Sequence, residues 1–229
     1  MVGMSTSPTT TAEAGLTRHS LREDALRVLR ARIVSGEMAP DTVYAVGQVA
    51  EELRVSITPV REALLALARD GMVEMLRNRG FRIRVISDKE LDDIIDLRLM
   101  IEPSAVRAIA DGRLISDLTD LRELARRADD AAERGNWTEF LDADRDLHLK
   151  LLGSLDNPRL LTVVSQLRDQ SRLYGLDKVA GTEAFRHSTR EHAAILDAVA
   201  AGEGERAEAL VAQHIRHARG VWAGNDEAG

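Results

Sequence analysis

With 229 residues, 44% of them hydrophobic and 3% aromatic, the chain is long enough for one or two domains with cores of their own. The absence of Cys excludes disulfides and thiolate metal sites, and no apolar stretch approaches the roughly 20 residues of a membrane span. The net charge of −7 is uneven, since residues 1–86 carry +2 and residues 87–229 carry −9, which suggests two domains with different partners.

Residues 1–17 are rich in Ser and Thr and lack the basic, apolar and small-residue succession of a signal peptide. They read as a disordered tail on a cytoplasmic chain. From about 20 to 35, Leu21, Ala25, Val28, Leu29 and Ile33 recur at helical spacing, and Gly36 stops the helix. Thr42-Val43-Tyr44 suits a short strand, and Val49, Ala50 and Leu53 mark the inner face of a second helix. Arg54-Val55-Ser56 connects tightly to a third helix over about 57–69, capped by Ser56 or Thr58 and carrying Pro59 at its first position.

That third helix turns Val60, Ala63, Leu64 and Leu67 inward and leaves hydroxyls and Arg61 at its tip. A polar tip on an apolar back is what a helix entering a DNA major groove requires. Residues 72–76 and 81–86 alternate as strands, with Arg77-Asn78-Arg79-Gly80 between them as a basic hairpin tip. Such a tip can reach a minor groove or phosphates, although an Arg-rich hairpin can also be merely soluble. The elements from 18 to 86 together make a winged helix-turn-helix.

From Asp88 onward the periodicity is helical throughout, over about 88–111, 117–134, 137–153, 158–175, 183–201 and 204–222. The expected fold is therefore mostly α: a winged helix-turn-helix with a small β hairpin, then an antiparallel all-α bundle over 87–223 and a disordered tail over 224–229. Asp144 and His148 stand four apart and share a helix face. His192 and His214 lie on later helices. One carboxylate and three imidazoles suit a divalent transition metal, zinc first, with nickel and manganese as alternatives. By spacing alone the three imidazoles could equally be unrelated helix residues. His217, one turn from His214, competes for the same role; His19 and His187 read as surface residues, and Trp137 and Trp222 as packing residues.

Two resemblances sharpen this. The run Val55-Ser56, Thr58-Pro59-Val60-Arg61-Glu62-Ala63-Leu64, Leu67, Asp70-Gly71 and Arg79-Gly80-Phe81 resembles the DNA-binding domain of the GntR family of bacterial transcription regulators. The resemblance implies DNA contacts from Ser56, Thr58 and Arg61, with Arg77, Asn78, Arg79 and Gly80 in the wing. Ile57 and Gly47 stand where many members carry Arg, which removes two groups able to read guanine and lets Ile57 touch a thymine methyl instead.

The pieces Leu97-Arg98-Leu99-Met100-Ile101-Glu102-Pro103, Asp144-x-x-x-His148, Asn157-Pro158-Arg159-Leu160, Glu191-His192-x-x-Ile195 and His214-Ile215 resemble the FCD ligand-binding domain of the FadR subfamily. Six helices are closer to the VanR-type subgroup. This resemblance implies a metal on Asp144, His148, His192 and His214, and a small carboxylate effector that also meets Arg98. Arg98 could instead pair with Glu102 one turn on. Arg172 and Tyr174 are further effector candidates, or simply an exposed face. The expected protein is a homodimeric regulator, most simply a repressor, that binds double-stranded operator DNA and a small organic acid. The rival is a metalloenzyme using the same four ligands for hydrolysis or lyase chemistry, and a third reading makes the metal purely structural.

Overall fold

The structure is a computed structural model that describes residues 18–174 and 183–222, with side chains over 21–173 and 190–219. The expectations for both tails and for the side chains of His19, Tyr174, His187 and Trp222 lie outside the described residues. The N-terminal elements are α1 (Arg18–Val34), β1 (Val43–Tyr44), α2 (Val46–Glu52), α3 (Ile57–Arg69), β2 (Val73–Leu76) and β3 (Gly80–Ile83). The three strands form one antiparallel sheet in the order β1-β3-β2, with Val43 opposite Arg82 and Glu74 opposite the same Arg82. Leu29, Val60, Ala63, Leu64, Leu67, Met72 and Phe81 form the domain's core and are fully buried.

Two expectations about this region need correction. Leu21 is 46% exposed rather than inward, because the burial of α1 begins only at Ala25. Pro59 is the third residue of α3, not the first, and Ser56 holds the N-cap position without a side-chain capping bond. The cause is local. In α4, α6 and α7 the cap residues Ser87, Asn136 and Asn157 each accept from the backbone N–H of the third helical residue. In α3 that residue is Pro59, which has no N–H to give. The Ser56 hydroxyl stays exposed and uncommitted to the helix.

The far end of α3 closes as a Schellman turn: Met72 N–H reaches the Leu67 carbonyl at 2.9 Å and Gly71 N–H the Ala68 carbonyl at 3.2 Å. Gly71 takes φ +73°, the left-handed region such a turn needs.

The second part comprises α4 (Asp88–Asp111), α5 (Thr119–Glu133), α6 (Trp137–Gly153), α7 (Pro158–Ser171), a 3-10 turn (Arg172–Tyr174), α8 (Glu183–Ala201) and α9 (Gly204–Trp222). The bounds expected for four of these helices hold unchanged. The expected helix of 158–175 is instead α7 tightened into the 3-10 turn, and α5 starts two residues late because the Asp117 carboxylate accepts the Thr119 N–H at 2.8 Å. α4 packs along α9, α5 against α6 and α8, and α7 against α4 and α6. Trp137 packs on the core as expected. Among the described residues no helix is long and apolar enough to cross a membrane.

Candidate metal centre and nucleic-acid interface

The apolar registers of the bundle helices are interrupted at a few inward positions by polar residues, and these meet. α4 buries Leu91, Ile94, Ile95, Val106 and Ile109, and on that face Arg98 and Glu102. α6 buries Asp144 and His148 between Phe140, Leu141, Leu147 and Leu151. α7 adds Arg168, the 3-10 turn Arg172, α8 His192 and α9 His214, all 6% exposed or less.

Asp144, His148, His192 and His214 each present one donor atom, and the four atoms lie within 4.8 Å of one another. His148 Nε2 and His192 Nε2 are 3.2 Å apart, and Asp144 Oδ1 lies 3.3 Å from His192 Nε2 and 3.8 Å from His148 Nε2. His214 Nδ1 stands 2.9 Å from Glu191 Oε2. A carboxylate only accepts, so that ring carries its proton on Nδ1 and keeps Nε2 as its ligating atom. His217 does not compete for the cluster: it bonds the other Glu191 oxygen, so two histidines of α9 share one carboxylate.

The protonation states fit metal ligation. Burial, assisted by the charge of Arg168, pulls His192 and His214 down to about 4 and His148 well below its ordinary value. All three are neutral at pH 7, and a neutral imidazole keeps one ring nitrogen free of a proton to ligate a metal. Among the described residues, His192 Nδ1 is buried without a hydrogen-bond partner.

Behind the ligands stands a cationic wall. Asp144 Oδ2 accepts from Arg168 Nη2 at 2.9 Å and from Arg172, leaving Oδ1 toward the imidazoles. Arg168 also reaches Glu102 Oε2 at 3.2 Å, and Arg98 Nε donates to Glu102 Oε1 at 2.6 Å. The Arg98–Glu102 pair weighed from sequence therefore forms, inside the bundle and within this network. Burial pulls Arg172 down to about 9, and burial likewise lowers Arg98 and Arg168; all three remain cations at neutral pH. Burial pushes Glu102 up, but Arg98 and Arg168 overcome it and hold the carboxyl below the usual range. Arg98, Arg168 and Arg172 stand against Glu102, Asp144 and Asp169, so the buried arginines and carboxylates here balance three to three.

Arg168 and Glu191 were not singled out from sequence. Arg168 sits in register with Leu160, Val164, Leu167 and Ser171, so an arginine at an apolar register was the available signal. Glu191 carried none, since nothing in spacing joins it to His214.

At the other end of the chain, Ser56, Thr58 and Arg61 are exposed on the first turns of α3, and Arg77, Asn78 and Arg79 on the hairpin tip. Among the described residues no ion pair engages Arg61, Arg77 or Arg79. Ile57 is 55% exposed beside Ser56. Gly80 has a packing reason of its own: at φ +112°, a Cβ there would stand 1.9 Å from the Tyr44 carbonyl oxygen.

Comparison with known proteins gives this pairing of domains a lineage. Residues 15–83 match the family described as bacterial regulatory proteins, gntR family, and residues 93–217 match the FCD domain. The Nta operon transcriptional regulator of Aminobacter aminovorans is 30% identical over 74% of this chain and 79% of its own length. This chain belongs to the GntR family. It is a transcriptional regulator with a gntR-type DNA-binding domain and an FCD effector-binding domain. The HTH-type transcriptional repressor RspR of Escherichia coli K12 is 27% identical over 83% of each chain. The solved structure of E. coli McbR superposes with a TM-score of 0.73 at 25% identity, covering 86% of this chain and 93% of that one. A putative GntR regulator from Rhodococcus sp. RHA1 shares the fold, with a TM-score of 0.70 at 24% identity over 90% and 98% of the two chains.

Proposed function

We propose that this GntR-family regulator senses a small organic acid at a divalent metal held by Asp144, His148, His192 and His214, and that occupancy changes its affinity for operator DNA. The carrying observation is the buried cluster of neutral imidazoles beside three buried arginines. The donor set suits zinc first, then nickel or manganese, and a five- or six-coordinate ion keeps positions for an outside ligand. When bound, the metal supplies a Lewis-acidic anchor for a carboxylate. The chain's part is to hold Asp144 in place through Arg168 and Arg172, to fix the His214 tautomer through Glu191, and to offer Arg98 and Arg172 to the acid's negative charge. Adding a dication to a region whose buried arginines and carboxylates otherwise balance favours an anionic ligand over a neutral one.

On the DNA side, Ser56, Thr58 and Arg61 enter the major groove while Arg77, Asn78 and Arg79 follow phosphates or the minor groove. The reading is supported by their common exposure and by the uncommitted Ser56 hydroxyl. The regulator acts as a homodimer on a pseudo-palindrome in the cytoplasm, as a repressor released by its ligand. Met100 at 73% exposure and Leu97 at 47%, both on α4, supply apolar surface for the second copy.

Two linked measurements test this. Thermal-shift screening of the zinc-loaded protein against dicarboxylates, tricarboxylates, sugar acids and aromatic acids should find a class that raises the melting temperature. The same acid should then change gel-shift affinity for an operator selected from a random duplex pool. No hit in any class removes the carboxylate reading, and no selected operator removes the DNA reading.

A further inference from the structure

α7 has two occupied polar faces. Toward the bundle, Arg168 binds Glu102 and Asp144. Toward the DNA-binding domain, the next residue, Asp169, is 1% exposed; its Oδ2 meets Arg30 Nε of α1 at 3.0 Å and its Oδ1 lies 3.5 Å from Arg145 Nε of α6. Arg30 in turn lies 3.6 Å from Asp70, the residue that caps the C-terminal end of α3. Gln170 Nε2 donates to the Asp70 carbonyl at 2.9 Å, and Gln166 Nε2 to the Asp70 carboxylate at 3.4 Å. The fit is close enough that a Cβ on Gly71 would stand 2.7 Å from Gln170 Nε2. Three consecutive residues of one helix thus grip the ligand cluster and the end of the helix that carries Arg61.

We propose that α7 is the coupling element between the two domains, with Asp169 and Gln170 as positioning residues that pass the state of the histidine cluster to α3. The proposal rests on the reading of Asp144 and the three histidines as a metal centre and of α3 as the DNA-reading helix. Arg168 is the group that feels occupancy. Its charge already acts on His148, His192 and His214, and its Nη2 shares the Asp144 carboxylate that faces them. A dication among these imidazoles repels the Arg168 guanidinium and draws Asp144 from it. A rigid helix cannot move Arg168 without moving Asp169 and Gln170. Asp169 is too deeply buried to exchange Arg30 and Arg145 for water, so both arginines, and Asp70 through Arg30, follow it.

The test uses the full chain, zinc alone as the probe, and an operator duplex selected by the protein. In the unaltered chain, zinc loading changes operator affinity by about 5- to 150-fold, the usual span of coupling between sites. By reciprocity the operator changes zinc affinity by the same factor. In Asp169→Asn and in Gln170→Ala that factor falls to within about twofold of unity, while zinc affinity without DNA and operator affinity without zinc stay within about threefold. Amide hydrogen exchange over residues 66–71 responds to zinc in the unaltered chain and not in the variants. Gln166→Ala, which removes one half-exposed hydrogen bond and leaves the buried ion pair intact, guards against a folding failure and lowers the factor partway. Variants that keep the full factor overturn the proposal, as does an unaltered chain whose operator affinity ignores zinc. Failure of the unaltered chain to bind zinc, or to select any operator, instead removes the reading beneath it.

Discussion

His148 Nε2 faces His192 Nε2 at 3.2 Å, and burial leaves both rings uncharged at neutral pH. At that spacing the Nε2–H of one neutral ring can donate to the Nε2 lone pair of the other, and a dication can take that proton's place with Asp144 Oδ1 closing the third side. His192→Ala should therefore abolish tight zinc binding. Glu191→Gln keeps every ligand but weakens the hold on the His214 tautomer, and should cost about 10- to 100-fold in zinc affinity. Competition against a chromophoric chelator measures both; equal affinity in all three proteins would remove the cluster from consideration.

Acid should destabilise the metal-free protein. His192 and His214 titrate near 4 in the fold, against an ordinary value of 6.5 when the chain is unfolded. Between those values the unfolded chain binds protons that the folded chain refuses. Their contribution is whole above about pH 6.5, declines as pH falls, and levels off near pH 4. His192→Leu should flatten the fall in melting temperature over that window, and calorimetry should show about one proton fewer taken up on unfolding.

Arg61→Ala should abolish specific operator binding while shifting stability by no more than about 0.5 kcal/mol, because the side chain is exposed and engages no acid among the described residues. Gel shifts at fixed salt, alongside denaturant unfolding, separate the two effects.

Ile57 should read a thymine methyl. Replacing that thymine by deoxyuridine removes one methyl and should weaken binding about fourfold, from roughly 0.8 kcal/mol per buried carbon. The loss should vanish in Ile57→Ala. A Cβ on Gly47 meets nothing within 4 Å, so Gly47→Arg should fold normally and shift preference toward guanine.

Gly80→Ala should destabilise the hairpin by about 2 kcal/mol or more, since the methyl collides with the Tyr44 carbonyl and φ is +112°. An unchanged denaturation midpoint with lost DNA binding would restore Gly80 to a contact role.

Much of this was legible before any coordinates. Caps, glycine stops and apolar period placed α4, α6 and α9 at their observed bounds, because those signals are local. Asp144 and His148 were visible as a pair four residues apart, and the family resemblance supplied His192 and His214. Of the two cap candidates, Ser56 holds the N-cap position, but its missing side-chain bond could not be foreseen, because the register of Pro59, third in α3 rather than first, shows only once the helix start is known. Arg168, Glu191 and the Asp169–Arg30–Asp70 chain stayed hidden because their partners lie on other helices, and periodicity carries no information about which helices meet.

The four donors at the cluster are nitrogen and oxygen, and the chain has no Cys anywhere. Peroxide and disulfide stress therefore find no thiol to oxidise at this cluster. A zinc switch engineered on these four ligands would lack the thiolates whose oxidation disables cysteine-ligated sites.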